Sequence, residues 1–457
     1  MLVRELADCP SADDAARRLA GRPGLAWLDG DGSPMLEGRY SFVGVEPIAR
    51  EVAATGSAQP FAVLDAISAE ACAGEEPCVP AAPQALPEQV VPRWIGYLAY
   101  PPGRHGAEAA PPALCFARYD ALVAFDHEQG RAYLVGDDEA ACDRLQAKLR
   151  APALALHARI GAVLADDPAQ HAAAIETALQ HLARGDIYQV NLARSFVASY
   201  VGEPLALALA MREQSPVPLG FFFDDGERSL VARTMERFLR WQRPERSLVT
   251  KPIKGTIART GRDAAEAQAL VSDPKERAEH TMIIDLMRND LGRVAVLGSV
   301  VVPEVMVVER YAKLSHLVST VRCVTRPTLG AAAVVEATFP PGSVTGTPKV
   351  RAMQIIDALE SLPRGVYTGA VGYVDRCGGL SLAVAIRTAT VERGQARYFA
   401  GGGIVEASLV ERELAETELK ARVFLDAAES LRTQAASAPS AGPRHDDVAL
   451  SHAPLLR

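Results

Sequence analysis

The stretch from Lys251 to Asp290 changes its periodicity partway along, and that change limits what the chain can build. It opens as KPIKGTIART, where Pro252 removes a backbone donor and Gly255 permits a turn, so Lys254 falls on a strand end or tight turn rather than in a helix. After Pro274, a favoured first-turn residue, Met282, Ile283, Leu286 and Met287 recur at helical spacing and mark one apolar face. Near the start of that helix Glu276 and Glu279 are stacked on one side, where they either converge on a hard cation or complement the positive helix end. The segment VERELAETELKARVFLDAAESL repeats the pattern: Glu413 and Glu416 share a face, Lys420 lies one turn further, and Leu414, Val423 and Leu425 suggest a buried side. Two helices that each offer a carboxylate pair suit Mg²⁺, which takes oxygen ligands. A di-iron bundle needs a Glu-x-x-His unit from each of two helices, whereas His280 follows Glu276 at a spacing of four and the later helix has no histidine.

Composition excludes more than it assigns. The 457 residues exceed a usual single domain, and an apolar fraction of 49% is ample for a large core. A net charge of -8 argues against nucleic acid as a partner. Seven cysteines without CxxC spacing read as reduced thiols of a cytoplasmic protein, and none has the context of a zinc ligand. The first residues lack an apolar signal segment and no stretch reaches membrane-spanning length, so a cytoplasmic protein with no membrane association is expected.

In chain order, short β-like runs cover Leu25 to Leu28, Arg39 to Val43, Ala62 to Leu64, Trp94 to Tyr100, Ala121 to Phe125 and Ala132 to Val135. A helix follows from Pro168, with Ile175, Leu179 and Leu182 in register, and ends at Gly185. In GDIYQVNLARSF, Gln189 and Asn191 read as strand residues that hydrogen-bond neighbours. Further strands are expected at Phe221 to Phe223, Ser229 to Ala232, Leu248 to Thr250, in VVPEVMVVERY and KLSHLVSTVRC, and in VYTGAVGYVD, GGLSLAVAIRTATV and RYFAGGGIV. Arg387 offers the planar fork that a carboxylate accepts in two hydrogen bonds, and the glycines of GGG permit close backbone approach. The expected division is an amino-terminal region over 1–165, a catalytic domain over 166–433 and a disordered tail over 434–457.

The motifs PIKGT, AEHTMIIDLMRND, PPGSVTGTPKVRAM, YTGAVGY, AIRT, GGGIV and ELAETELKA occur in this order over residues 180 to 430. Together they resemble the chorismate-utilising enzymes. The resemblance implies an α/β (α+β) fold of two packed antiparallel β-sheets with peripheral helices and a site between the sheets. Strands that arrive in consecutive runs fit that architecture. It also implies roles. Lys254 stands where anthranilate-forming members have alanine, which points to the branch that combines chorismate with ammonia to give 4-amino-4-deoxychorismate for 4-aminobenzoate and folate synthesis. There the lysine acts as a nucleophile, helped to lose its proton by Mg²⁺ or Lys251, or else as an anion-binding charge.

Glu236, in an SPERF-like context with Thr234 and Met235 as departures, corresponds to the general acid. Gln189 occupies the position of a water-activating lysine in isochorismate-forming members. His316 corresponds to a histidine that approaches the ring, Ser343 and Lys349 match family positions, and Thr347 replaces the usual alanine. Tyr367, Arg387 and the Gly402 backbone correspond to contacts with the enolpyruvyl carboxylate, Lys420 is a further substrate contact, and Mg²⁺ on Glu276, Glu279, Glu413 and Glu416 would meet the ring carboxylate. GRYSFVG and WIGYLAY resemble an amino-terminal part that in some members binds tryptophan, although LDGDG replaces the LES-type sequence of those members. No cysteine has the glycine-flanked context of a glutaminase nucleophile, which implies a separate glutamine amidotransferase subunit. Anthranilate formation and a non-catalytic chorismate-binding relative are the alternatives.

Overall fold

A computed structural model describes residues 1–6, 11–33, 36–72, 86–106, 110–259, 263–310 and 314–437. Two large sheets dominate, and every strand pairing in them is antiparallel. The first sheet runs from Leu2–Glu5 through Arg131–Gly136, Ala121–Asp126, Tyr40–Gly44, Ala26–Asp29, Leu219–Asp224, Arg228–Thr234, Thr388–Glu392, Gln395–Ile404 and Gln189–Gly202 to Leu164–Ala165. The second runs from Ile253–Ala258 through Leu314–Val324, Ser247–Lys251, Arg237–Gln242, Leu380–Val384, Ala370–Asp375, Pro92–Leu98 and Leu114–Arg118 to Ala49–Ala53. In each sheet a block of strands from before residue 165 joins a block from after it: Ala26–Asp29 pairs with Leu219–Asp224, and Pro92–Leu98 with Ala370–Asp375.

Side-chain alternation explains the layers. Along Ala121–Asp126, Leu122 and Ala124 enter the core between the sheets, where they meet Ile95, Tyr97, Phe221 and Val371. Val123 and Phe125 face the other way, onto an outer core shared with the helices Ala12–Leu19, Glu139–Leu149 and Pro204–Gln214 and with the long helix Val410–Ser437. On the second sheet Trp94 and Leu98 point outward beneath Ala62–Cys72, Pro274–Gly292 and Ala331–Thr338. Each fully buried leucine or phenylalanine of these three cores contributes about 1.5–3 kcal/mol.

Three expectations change. Ala62 to Leu64 opens the helix Ala62–Cys72 instead of a strand, because Leu64, Ile67, Ser68 and Ala71 are buried at helical spacing, and so short an apolar run does not distinguish the two periods. Residues 434–437, expected to be tail, belong to the last helix, which extends through Ser437; residues 438–457 lie outside the described ones. Cys72, Cys115, Cys142 and Cys323 are reduced, as expected, but Cys377 is disulfide-bonded.

Candidate active site

The chain passes from one sheet to the other twice at the same place. Arg228–Thr234 belongs to the first sheet and Arg237–Gln242 to the second, so Met235 and Glu236 form the crossing; Leu380–Val384 and Thr388–Glu392 make the reverse crossing at Ala385 to Arg387. The crossings run side by side: the Val384 N–H donates to Glu236 O at 2.9 Å, and the Arg233 N–H to Arg387 O at 3.0 Å. Arg387 has φ +50°, which turns the chain sharply there. An acid and a guanidinium are thus delivered to the gap between the sheets by the backbone path itself.

Glu236 is 7% exposed, and Ser343 Oγ donates to its Oε1 at 2.5 Å. Burial raises its pKa above the ordinary carboxylate value, against the opposing effects of the Ser343 hydrogen bond and the charges of Lys254 and Lys420. Ser343 sits in a tight turn, Gly342–Val344, just ahead of the helix Lys349–Leu359. Lys254 lies on the edge strand Ile253–Ala258, next to Gly255 at φ +78°. Its Nζ is 3.9 Å from Glu279 Oε2 and faces the first sheet, where a Cβ added to Gly403 would stand 3.5 Å from it. Lys251, the neighbouring cation considered from sequence, is instead paired with Glu309 at 2.9 Å.

The opposite wall is the glycine run. A Cβ on Gly402 would lie 2.8 Å from Glu413 Oε2, and one on Gly401 2.9 Å from the Tyr367 hydroxyl, so only glycine fits this surface. Lys420 Nζ donates to Gly401 O at 2.8 Å and pairs with Glu416 at 2.6 Å. Tyr367 stacks on Phe399 with ring centroids 5.4 Å apart, and burial raises its hydroxyl pKa. His316 is buried, and desolvation together with the Arg387 charge lowers its pKa to about 4, so the ring is neutral at physiological pH. Among the described residues the Arg387 guanidinium has neither an ion pair nor a side-chain hydrogen bond, and burial lowers its pKa.

The four carboxylates form two pairs on opposite sides of this gap. Glu276 lies against Gly255 and Glu279 against Lys254, on the helix Pro274–Gly292; Glu413 and Glu416 lie against Gly402, on the helix Val410–Ser437. Among the described residues no three His, Cys, Asp or Glu side chains converge as a preformed metal centre. The donors are nevertheless oxygens of the kind Mg²⁺ takes, and the missing Cβ of Gly402 leaves Glu413 room against the backbone.

Some residues behave otherwise than their sequence context suggests. Gln189 is 1% exposed, yet both of its amide atoms lack a hydrogen-bond partner, as does Asn191 Oδ1. They face Gly403 and Gly401 rather than bonding strand neighbours. Lys349 is tied to Asp290 and Thr338 O, both at 2.7 Å, and so holds its helix in place. Sequence reading passed over Glu360 and Arg364, a buried ion pair behind the Ser343 turn; their spacing of four along the chain was the available signal.

The profile of the chorismate binding enzyme family matches residues 36–426. An aminodeoxychorismate synthase from Streptomyces griseus is 37% identical over 362 residues, 73% of this chain and 49% of that protein. Aminodeoxychorismate synthase component 1 from Klebsiella aerogenes is 38% identical over 335 residues, 72% of this chain and 74% of that one. The matched region therefore spans about half the length of the first relative and about three quarters of the second. Among solved structures, anthranilate synthase component I from Streptococcus pneumoniae superposes with a TM-score of 0.71 at 28% identity, covering 85% of this chain and 92% of that one. With a profile match over most of its length and the matching motifs gathered around one gap between two sheets, the chain belongs to the chorismate binding enzyme family.

Proposed function

We propose that the chain is the synthase component that turns chorismate and ammonia into 4-amino-4-deoxychorismate, with ammonia supplied by a separate glutamine amidotransferase subunit. The observation that carries this reading is Lys254, an amine on the edge strand between Glu279 and the glycine wall, within the same electrostatic environment as the buried acid Glu236. Relatives named as aminodeoxychorismate synthases support it. In this reading the uncharged Lys254 amine attacks C2 of the ring, the double bonds shift, and the C4–O bond breaks as Glu236 gives its proton to the departing hydroxyl, which leaves as water. Ammonia then bonds to C4, the double bonds shift back, the C2–N bond to Lys254 breaks, and the proton lost from the new C4 ammonium returns to the Glu236 carboxylate. A carboxyl whose pKa is raised by burial holds the proton this step requires.

The Arg387 guanidinium, with no ion pair or side-chain hydrogen bond among the described residues, takes a substrate carboxylate near His316. Glu276, Glu279, Glu413 and Glu416 would hold Mg²⁺, which when bound supplies positive charge for the other carboxylate. No helix among the described residues is long and apolar enough to cross a membrane. A cytoplasmic location belongs to the same proposal. Its test uses purified protein and chorismate: turnover is expected with ammonium and Mg²⁺, and not with glutamine until an amidotransferase subunit is added. Full activity in excess chelator would remove the metal site, and glutamine hydrolysis by the chain alone would remove the partner.

A further inference from the structure

Behind the Ser343 turn lies an arginine whose guanidinium is fully bonded. Arg364 is 3% exposed and spends all five guanidinium hydrogens on protein acceptors. Nε donates to Glu360 Oε2 at 2.8 Å, and Nη2 to Glu360 Oε1 and Asn191 O, both at 2.7 Å. Nη1 donates to Val344 O at 3.0 Å and to Thr368 Oγ1 at 3.1 Å. Glu360 Oε1 also accepts from the Ala193 N–H at 2.9 Å. The guanidinium carbon lies over two rings, 4.9 Å from the centroid of Tyr100 and 5.8 Å from that of Tyr367.

Each acceptor sits next to a residue that faces the gap. Val344 follows Ser343, whose hydroxyl bonds Glu236. Asn191 and Ala193 belong to the strand that carries Gln189, and Ala193 is paired with Gly401. Thr368, at φ +60°, follows Tyr367 and donates to its carbonyl at 2.6 Å. Three separate chain segments therefore meet on one planar group that touches neither Lys254 nor Glu236. We propose that the Arg364–Glu360 pair is a positioning element, setting the Ser343 turn, the Gln189 strand and Tyr367 in register so that the Ser343 hydroxyl meets Glu236.

The inference rests on the reading of Glu236 as the acid, and it can be tested without the reaction. Glu236 faces Ser343 from the turn, Lys254 from the edge strand and Lys420 from the last helix, and all three favour its charged form. A lysine at position 364 has three hydrogens and no fork, so it cannot reach all five acceptors. In Arg364→Lys the turn shifts, the Ser343 contact lengthens and Glu236 should titrate at higher pH. The measurement is a carboxyl ¹³C titration of glutamate-labelled protein, with the Glu236 signal assigned by Glu236→Gln. It is made on the wild type, Arg364→Lys, Ser343→Ala and the double variant. Arg364→Lys is expected to raise the Glu236 midpoint in the same direction as Ser343→Ala, and the double variant to go no further than Ser343→Ala alone, as two steps of one path require. Glu360→Gln, which leaves the guanidinium in place, should show a smaller shift of the same sign and serves if the lysine variant does not fold. Turnover with chorismate and ammonium should fall about 100-fold in kcat for Arg364→Lys, the scale set by a misplacement of roughly 1 Å. An unmoved Glu236 midpoint in the folded variants, or shifts that add in the double variant, would overturn the proposal. A wild type that titrates as described but leaves chorismate unchanged would instead count against the functional reading.

Discussion

Arg233 and Arg387 are joined by a backbone hydrogen bond, and their side chains have opposite fates. The Arg233 guanidinium is buried against Asp29, Nη1 to Oδ2 at 2.7 Å, and its Nε donates to Ser215 O at 3.0 Å; Arg212 adds a second contact to the same carboxylate oxygen at 2.9 Å. Arg387 has no such carboxylate among the described residues. The first region spends its charges on itself, and its sequence, LDGDG, carries no motif of chemistry. The second leaves a guanidinium and two buried amide atoms of Gln189 uncommitted around one gap, beside Lys254 in its 3.9 Å pair with Glu279. Charges matched within the protein contribute to the fold. A half-buried cation without a counter-charge costs free energy that an incoming anion offsets, which is why the proposed substrate site is placed at the unmatched cluster.

The largest test of that contrast falls on Lys254. Lys254→Ala is expected to lose aminated product by on the order of 10³-fold or more, the scale of losing a nucleophile. Lys254→Arg should fail as well, because a guanidinium keeps the charge but does not give up its proton. Calorimetry should find chorismate still bound by both variants. An arginine variant that forms product at a near-normal rate would make Lys254 an electrostatic contact only.

Glu236→Gln comes next, with an expected loss of about 10²–10⁴ in kcat. The acid works protonated, so wild-type activity should fall as pH rises through the Glu236 pKa. Burial places that pKa above the ordinary glutamate value, and the falling limb moves up with it. The pH–rate profile of the glutamine variant should lack this limb; if it keeps the limb unchanged, another group is the acid.

The smallest effects separate the two arginines directly. Asp29→Ala strips Arg233 and Arg212 of their shared partner and should lower stability by about 3–5 kcal/mol with chorismate KM unchanged. Arg387→Ala should do the reverse: weaken chorismate by about 1.5–3 kcal/mol, roughly 10- to 150-fold, with the melting temperature held or raised. If Arg387→Ala destabilised the protein as much as Asp29→Ala does, the distinction between matched and unmatched charge would disappear.

Much of this was legible in the chain itself. The strand-to-helix change around Lys254 and the paired glutamates of two helices could be read because each depends on local spacing, and the two stretches border the same gap from opposite sides. Ala62 to Leu64 was misread because a short apolar run fits either period, and the residues that decide it, Ile67 and Ala71, come later. The crossings at Glu236 and Arg387 were not legible as crossings, since nothing local to a turn shows that the strands on its two sides enter different sheets. Gln189 looked like an ordinary strand residue because its lack of partners depends on Gly403, far along the chain. Arg364 and Glu360 have the spacing of a common surface pair, and only burial against three distant segments gives them their role.

Everything argued for the gap depends on what leaves it. Mass spectrometry of the product formed from chorismate, ammonium and Mg²⁺ by the wild-type protein tests this most directly. The account predicts 4-amino-4-deoxychorismate as the main product, absent when Lys254 is replaced by arginine. Anthranilate as the main product would contradict it, leaving the family and the fold in place but removing Lys254 from the chemistry.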